Sequence, residues 1–143
     1  MGTRTSRLVA AAALVLACAG AQAGELVAIV SARSTVENLR QEQVAAIFLG
    51  QSTRFPGGGV ATAVDQPIGS PQRDGFYLRV TGKTPALLKA WWSKMIFTGR
   101  GQPPRELAGN AAVRQAVAAD PGLIGYIDRE ALDPSVRQVL LVH

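Results

Sequence analysis

The feature that most constrains the fold is a strand that leads directly into a capped helix. The apolar run Val60–Val64 is followed by Asp65, a Pro/Gly loop and then Ser70-Pro71. Ser is a favoured N-cap residue and Pro a favoured first helical residue, so the pattern predicts a helix from Pro71 to about Thr81 that ends at Gly82. A strand, a turn and a helix in this order form the repeating unit of α/β folds.

Strand and helix patterns alternate over the rest of the chain. Short apolar runs bounded by glycine or polar residues predict strands, and apolar residues at i, i+3 and i+4 predict helices. We predict strands at Leu26–Val30, Leu123–Ile127 and Val136–Val142, and helices at Glu42–Leu49, from Thr84-Pro85 to about Phe97, and from Arg105 to Val117 with an interruption capped by Asn110. The expected fold is an α/β domain with a mixed sheet flanked by helices.

Two local patterns add detail to this prediction. Ser34-Thr35 followed by Glu37 offers capping chemistry ahead of the first helix. Trp91 and Trp92 are adjacent in a helix, so their side chains point about 100° apart. We expect at least one of the two in the core.

The first residues have the pattern of a secretory signal. Arg4 and Arg7 precede the apolar run Leu8–Ala17, and Ala21-Gln22-Ala23 has the small-x-small pattern of a signal-peptidase site. We predict a signal peptide over residues 1–23 and a single domain over residues 24–143. Cys18 leaves lipoprotein processing open as an alternative, although Leu16 is large for a lipoprotein cleavage box.

The composition excludes several function classes. The 15 basic and 10 acidic residues include no run of Lys or Arg, so nucleic-acid binding has no support. Cys18 is the only cysteine and His143 the only histidine. Transition-metal ligand spacing and a histidine-based triad are therefore absent, and we expect no cofactor.

The carboxylates do not define a catalytic pair. Asp65 and Asp74 lie on either side of the Gly69-Ser70 turn, but their spacing does not position a substrate water. Asp74 in a first helical turn is typical of a residue that stabilises the helix dipole. We therefore expect that this protein is not an enzyme. Turnover that disappears in Asp65→Asn or Asp74→Asn would contradict this expectation.

The Gly69-Ser70 turn is the candidate binding site. A helix N-terminus directs backbone N–H groups and the positive end of the helix dipole at one point, which can hold an oxyanion. Arginines nearby could add charge-assisted hydrogen bonds. The candidate ligand-binding residues are Gly69, Ser70, Gln72, Arg73, Thr98 and Arg100. Two simpler interpretations stay open: Ser70 only caps its own helix, and each arginine is a solvated surface charge.

Three ordered motifs resemble the phosphate-binding proteins of ABC transporters. Glu42–Gly50 followed by Arg54-Phe55-Pro56-Gly57-Gly58 is similar to their L-x-x-x-Q-L-x-x-I-F-x-G-x-x-x-x-W-x-x-G segment. Ile68-Gly69-Ser70-Pro71 ahead of Phe76 resembles their G-S-G-T-x-x-x-F turn, and Asp120–Ile127 resembles their x-P-G-A-I-G-Y-V strand. The chain thus resembles a small member of the type 2 periplasmic-binding-protein superfamily.

The resemblance implies one lobe of that fold, a periplasmic location and weak binding of phosphate or a related oxyanion. Ser70 and its neighbouring backbone match the motif, whereas Pro71 and Gln72 replace its second glycine and its threonine, and Phe55 replaces a tryptophan. Complete members have two lobes, and residues 24–143 suffice for about one. We therefore expect weak affinity unless a partner or a second copy closes over the site.

A second functional hypothesis belongs to another class. The lobe could have lost its ligand and could serve as an envelope interaction module that docks an inner-membrane transporter, a sensor or another protein. This hypothesis predicts an exposed apolar patch near Trp91 and Trp92.

Overall fold

The computed structural model describes residues 24–143 and residue 2. The predicted signal segment, with Arg4, Arg7, Cys18 and the Ala21-Gln22-Ala23 site, lies outside the described residues, so its cleavage and lipidation stay predictions. None of the helices in residues 24–143 combines the length and the apolar character needed to span a bilayer.

A mixed sheet of five strands forms the centre of the described fold. The strands are β1 Leu26–Ser31, β2 Thr62–Asp65, β3 Arg105–Glu106, β4 Leu123–Asp128 and β5 Val136–Val142, in the spatial order β3-β2-β4-β1-β5. β2 pairs in parallel with β3 and β4, whereas β1 is antiparallel to β4 and β5. The predicted mixed sheet is confirmed.

Four α-helices flank the sheet: α1 Gln41–Phe48, α2 Pro71–Thr81, α3 Pro85–Phe97 and α4 Asn110–Ala119, with a short 3₁₀ turn at Arg129–Ala131. α2 and α3 begin in the same way. The side chains of Ser70 and Thr84 each accept a hydrogen bond from the third helical N–H group, and proline occupies the first helical position. Gly82 ends α2 with φ = 71°. The predicted bounds of both helices are confirmed.

The strands bury side chains on both faces of the sheet. Leu26, Ala28 and Val30 of β1 belong to one core with α1, α2 and α3, whereas Val27 and Ile29 belong to a second core with α4. A strand covered on both faces has no solvent-facing side, which explains why β1 is a continuous apolar run.

Four aromatic rings join α1 and α2 to β4. Phe76 and Tyr126 stack with ring centroids 4.0 Å apart, and Phe48 packs edge-on against Phe76 at 4.7 Å. Tyr77 completes the cluster through edge contacts with Phe48 and Phe76. The cluster fixes the positions of the two tyrosine hydroxyls relative to the end of β2.

The two tryptophans differ in burial. Trp92 is buried in the core, whereas Trp91 is partly buried and donates its Nε1–H to the Leu49 carbonyl at 3.0 Å. The expectation that at least one of them is core is confirmed.

Four local predictions are wrong. Asn110 does not cap α4: the N-cap position is Gly109, Asn110 is the first helical residue, and no side chain caps the helix. Ser34-Thr35 does not cap α1, which begins after Arg40, where the Gln43 side chain accepts from the Arg40 N–H group at 2.9 Å. The segment at Arg105 forms strand β3 beside β2 and is not helical, because Pro103-Pro104 cannot donate helical hydrogen bonds and the edge of β2 offers partners. β2 begins at Thr62, since Val60 pairs with Arg54 in an isolated antiparallel bridge.

Candidate functional site

Two strands and two helices meet at one edge of the sheet. Because β2 and β4 are parallel, Asp65 at the end of β2 and Asp128 at the end of β4 lie at the same edge. α2 follows β2 and α4 precedes β4, so both helices begin at this edge. The positive ends of two helix dipoles are therefore directed toward two carboxylates of the chain.

Asp65 is a buried carboxylate with four donors around it. It is 1% exposed, and it accepts from the hydroxyls of Tyr77 at 2.7 Å and of Tyr126, and from the Gln66 N–H group at 2.9 Å. Arg73 Nε lies 3.4 Å from Asp65 Oδ2. Burial raises the pKa of Asp65, and the two hydroxyls and the Arg73 charge oppose that rise.

The tyrosine hydroxyls act as permanent donors. Burial, the negative charge of Asp65 and the hydrogen bonds to it raise the pKa of Tyr77 and of Tyr126 far above the ordinary tyrosine value. Both hydroxyls therefore stay protonated. Their hydrogen bonds to Asp65 hold β2, α2 and β4 together around one carboxylate.

A second polar network ties α4 to the end of β4. Gln66, which is 2% exposed, donates its Nε2–H groups to the Tyr126 carbonyl at 3.0 Å and to Asn110 Oδ1 at 2.9 Å. Asp128 Oδ2 accepts from Asn110 Nδ2 at 2.7 Å and from Gln72 Nε2 at 3.1 Å. Asp128 Oδ1 is buried and has no hydrogen-bond partner among the described residues. The Asp128 carboxylate is thus held between side chains from the first turns of α2 and α4.

Ser70 caps its own helix. Its Oγ accepts from the Arg73 N–H group at 3.2 Å, and its carbonyl accepts from the Asp74 N–H group at 3.1 Å. Pro71 has no N–H group, so the Gln72 N–H group is the amide of this turn that meets no acceptor within the described structure. Gly69, with φ = 86°, provides the backbone conformation that the preceding turn requires.

Arg73 is not a solvated surface charge, and that interpretation is wrong for this residue. It is 8% exposed, pairs with Asp65 and lies over the Tyr77 ring with Cζ 5.3 Å from the ring centroid. Arg73 and Gly69 line a groove of about 610 Å³ between the turn that precedes α2, helix α3 and the Pro103-Pro104 segment.

The groove has mixed charge. Lys89 adds a second cation to its wall, and Asp74 and Glu106 add two carboxylates. The Glu106 carboxylate accepts from the Ile68 N–H group at 2.8 Å, which holds it next to Gly69. No group of three or more His, Cys, Asp and Glu side chains in residues 24–143 is arranged to hold a metal ion.

The loop that follows α3 is separate from the lining of this groove. Thr98 Oγ1 donates to the Lys94 carbonyl at 2.7 Å, and Arg100 is exposed. Of the six predicted ligand-binding residues, Gly69 and Arg73 line the groove, whereas Ser70 at the N-cap and Gln72 in the first turn of α2 are their chain neighbours and do not line it. Thr98 and Arg100 are not among the residues that line it.

Sequence reasoning missed most of the polar side chains at this edge: Gln66, Tyr77, Asn110, Tyr126 and Asp128. A usable signal was present in the two tyrosines, which stand inside otherwise apolar runs, and in the acids that follow two apolar strands directly. A buried polar residue needs a hydrogen-bond partner, so two tyrosines and an aspartate in buried elements are expected to hydrogen-bond to one another.

The same fold occurs in solved phosphate-binding proteins. A protein from Clostridium perfringens assigned as a phosphate ABC transporter substrate-binding protein, with bound phosphate, matches 80% of this chain at 24% identity and a TM-score of 0.65. An ABC-type phosphate transport receptor from Vibrio cholerae matches 80% of this chain at 19% identity and a TM-score of 0.63. PstS from Borrelia burgdorferi also matches 80% of this chain, at 16% identity and a TM-score of 0.57. No family model and no curated protein matches the sequence.

The likeness covers only part of each of these proteins. The chain matches 44%, 45% and 46% of their respective lengths. The motifs at Glu42–Gly50, Ile68–Pro71 and Asp120–Ile127, through which the sequence resembles this group, lie in α1, in the turn before α2 and in β4 with its preceding turn. The chain therefore has an open, mixed-sheet α/β fold like that of these solved proteins, over less than half of their length.

Proposed function

We propose that the chain is a non-enzymatic, solute-binding-like module, placed outside the cytoplasm, that binds phosphate or a related oxyanion weakly beside the start of α2. The observation that carries this proposal is the Gln72 N–H group, which meets no acceptor in the described structure, next to the Arg73 side chain in the groove wall. Helix N-termini with a nearby guanidinium favour tetrahedral anions. The fold shared with a protein solved with bound phosphate supports the same ligand class.

Three features of the turn limit the affinity. The backbone N–H group of Arg73 already donates to Ser70 Oγ, and the Arg73 guanidinium already pairs with Asp65, so neither is free for an anion. Glu106 brings a carboxylate to the same turn, which repels an anion. The groove is also open to water, so charged hydrogen bonds in it are weaker than in an enclosed site. A dissociation constant near 1 mM, about 4 kcal/mol of binding free energy, fits this arrangement.

Titration calorimetry of phosphate and of sulfate tests the proposal. In Ser70→Asp, an aspartate keeps the helix cap and adds a negative charge at the turn, so the heat of phosphate binding should disappear while the protein stays folded. Thr53→Asp is the charge control, because Thr53 is exposed in the loop after α1 and does not line the groove, so it should leave the heat unchanged. Equal heats in wild type and Ser70→Asp would refute binding at this turn.

A second candidate function is that of an interaction module without a ligand. The observation that favours it is Asp128, a carboxylate of the chain itself that already lies between the first turns of α2 and α4. This function predicts no heat with millimolar phosphate or sulfate in the wild type. It also predicts that Ser70→Asp retains every partner that the wild type binds.

A further inference from the structure

Helix α3 has two apolar stripes, and only one of them packs against the core. Leu88, Trp92 and Met95 are buried. A second stripe runs along the exposed side at spacings of three and four residues; its apolar members are Leu87, Ala90 and Phe97, and Lys94 lies between them. Leu87 is 55% exposed and Phe97 is 93% exposed. We call these four residues the outward stripe; the helix that carries it is about 20 Å long.

The outward stripe lies in the most basic part of the chain. Six basic residues and no acidic residue occur between Gly75 and Arg105, so all ten acidic residues lie outside this segment. The six are Arg79, Lys83, Lys89, Lys94, Arg100 and Arg105, and they include every lysine of the chain. None of them takes part in an ion pair of the described structure. No ion pair of the described structure therefore balances Lys94 within the stripe or Lys83, which lies over the Trp91 ring.

We propose that the outward stripe of α3 docks on an anionic phospholipid surface. An interfacial helix needs exposed aromatic and aliphatic side chains flanked by cations, and Phe97, Leu87 and Lys94 supply them in one line. Lysine stems extend along apolar groups and keep their ammonium ions at the headgroups. Lys83 makes a cation–π contact with this helix, with Nζ 4.8 Å from the centroid of the Trp91 ring.

The type of cation favours lipid over a protein partner. Lysine is depleted in protein–protein interfaces, where arginine is enriched, and the cation within the outward stripe is a lysine. Anionic lipid headgroups attract any clustered positive charge without requiring a shaped pocket. The docking surface is also distinct from the groove, which borders α3 through Lys89, Ser93 and Ile96. The inference is therefore independent of the proposed oxyanion binding.

Co-sedimentation of purified residues 24–143 with lipid vesicles tests the inference. We expect binding to vesicles of equimolar phosphatidylglycerol and phosphatidylcholine, and little binding to phosphatidylcholine alone. Each cation near an anionic surface contributes roughly fivefold, so Lys83→Gln/Lys94→Gln should lower the partition coefficient by roughly 25-fold. Phe97→Ser should lower it by about tenfold, because the ring no longer inserts among the acyl chains.

Matched controls separate this surface from charge and hydrophobicity in general. Arg40→Gln/Arg54→Gln removes the same charge from the N-cap of α1 and from the loop after it, and Val60→Ser removes an exposed apolar side chain elsewhere; both should bind as wild type does. Binding should also fall at about 1 M salt, where screening shortens to roughly 3 Å. Equal losses in the controls, or no preference for phosphatidylglycerol, would overturn the proposal. Retention only on native membranes, abolished by protease treatment of those membranes, would overturn it in favour of a protein partner.

Discussion

Removal of the Tyr126 hydroxyl should destabilise the protein because it leaves the buried Asp65 carboxylate without one of its donors. In Tyr126→Phe, the carboxylate loses the Tyr126 O–H group, and the Gln66 N–H group loses a second acceptor at 3.2 Å. Asp65 is 1% exposed and Tyr126 is fully buried, so water cannot replace the hydroxyl without repacking. A hydrogen bond to a buried charge contributes about 1.5–3 kcal/mol, and we expect a loss of about 2 kcal/mol near neutral pH.

The loss should depend on pH in a defined direction. The pKa of Asp65 in the folded protein is raised above its unfolded value, mainly by burial. The folded state therefore binds more protons than the unfolded state, and the contribution of Asp65 to stability is greatest below the unfolded pKa and is lost as pH rises through the folded pKa. The Tyr126 hydroxyl lowers the folded pKa, so its removal raises that pKa further. Tyr126→Phe should consequently cost more at about pH 7 than at about pH 4.

Urea unfolding followed by tryptophan fluorescence at these two pH values measures the effect. Tyr77→Phe removes one hydrogen bond of 2.7 Å and should show the same pH trend with an equal or smaller loss. Phe48→Leu is the control within the same aromatic cluster: it changes packing alone, so its loss should be the same at both pH values. Equal losses for Tyr126→Phe at both pH values would refute a charged Asp65 as the cause.

Two glycine substitutions should change the free energy of unfolding in opposite directions. Gly125→Ala would place a Cβ 2.6 Å from Val113 Cγ1, where α4 crosses β4, and should destabilise the protein by about 1–3 kcal/mol in urea unfolding. Gly75→Ala lies inside α2, where the nearest atom to the new Cβ is Leu26 Cδ1 at 3.7 Å, and should stabilise by about 0.5–1 kcal/mol. Destabilisation in both variants would show that helix propensity does not decide the outcome at Gly75.

Helix bounds could be predicted wherever the chain carries its own stop and start signals. Ser70-Pro71, Thr84-Pro85 and Gly82 act through hydrogen bonds and backbone angles within a few residues, so the sequence contains the whole cause. Strand β3 could not be predicted in this way. Its two residues are extended because Val64 and Asp65, some forty residues away in the chain, pair with them. The local sequence at Arg105 does not record that pairing.

The candidate site shows the same division between local and distant causes. The capping role of Ser70 follows from its position directly before Pro71, so the sequence predicts it. The burial of Arg73 and Asp65 could not be read from their neighbours, since it depends on Tyr126, which arrives from another strand. A charged residue in sequence is expected at the surface, and only the folded chain supplies the donors that keep this pair inside.

Asp128 provides the sharpest test of whether the start of α2 is an anion site. Its carboxylate accepts from the Gln72 side chain, so a phosphate bound at the Gln72 N–H group would lie near a fixed negative charge. Two unit charges about 8 Å apart repel by on the order of 0.5–2 kcal/mol at a partly exposed site. Asp128→Asn removes that charge and keeps an acceptor oxygen for Asn110 and Gln72, so phosphate affinity in calorimetry should rise by roughly 2–30-fold.

Asp120→Asn supplies the control for this variant. It removes the same charge from the exposed turn at the opposite end of β4, where Asp120 Oδ1 accepts from the Gly122 N–H group, and should leave phosphate affinity unchanged. Unchanged or lower affinity in Asp128→Asn would mean that no anion binds within reach of this carboxylate. In that case the Asp128 carboxylate itself occupies the anion position at the first turns of α2 and α4. A helix N-terminus that the chain's own carboxylate already neutralises attracts phosphate only weakly.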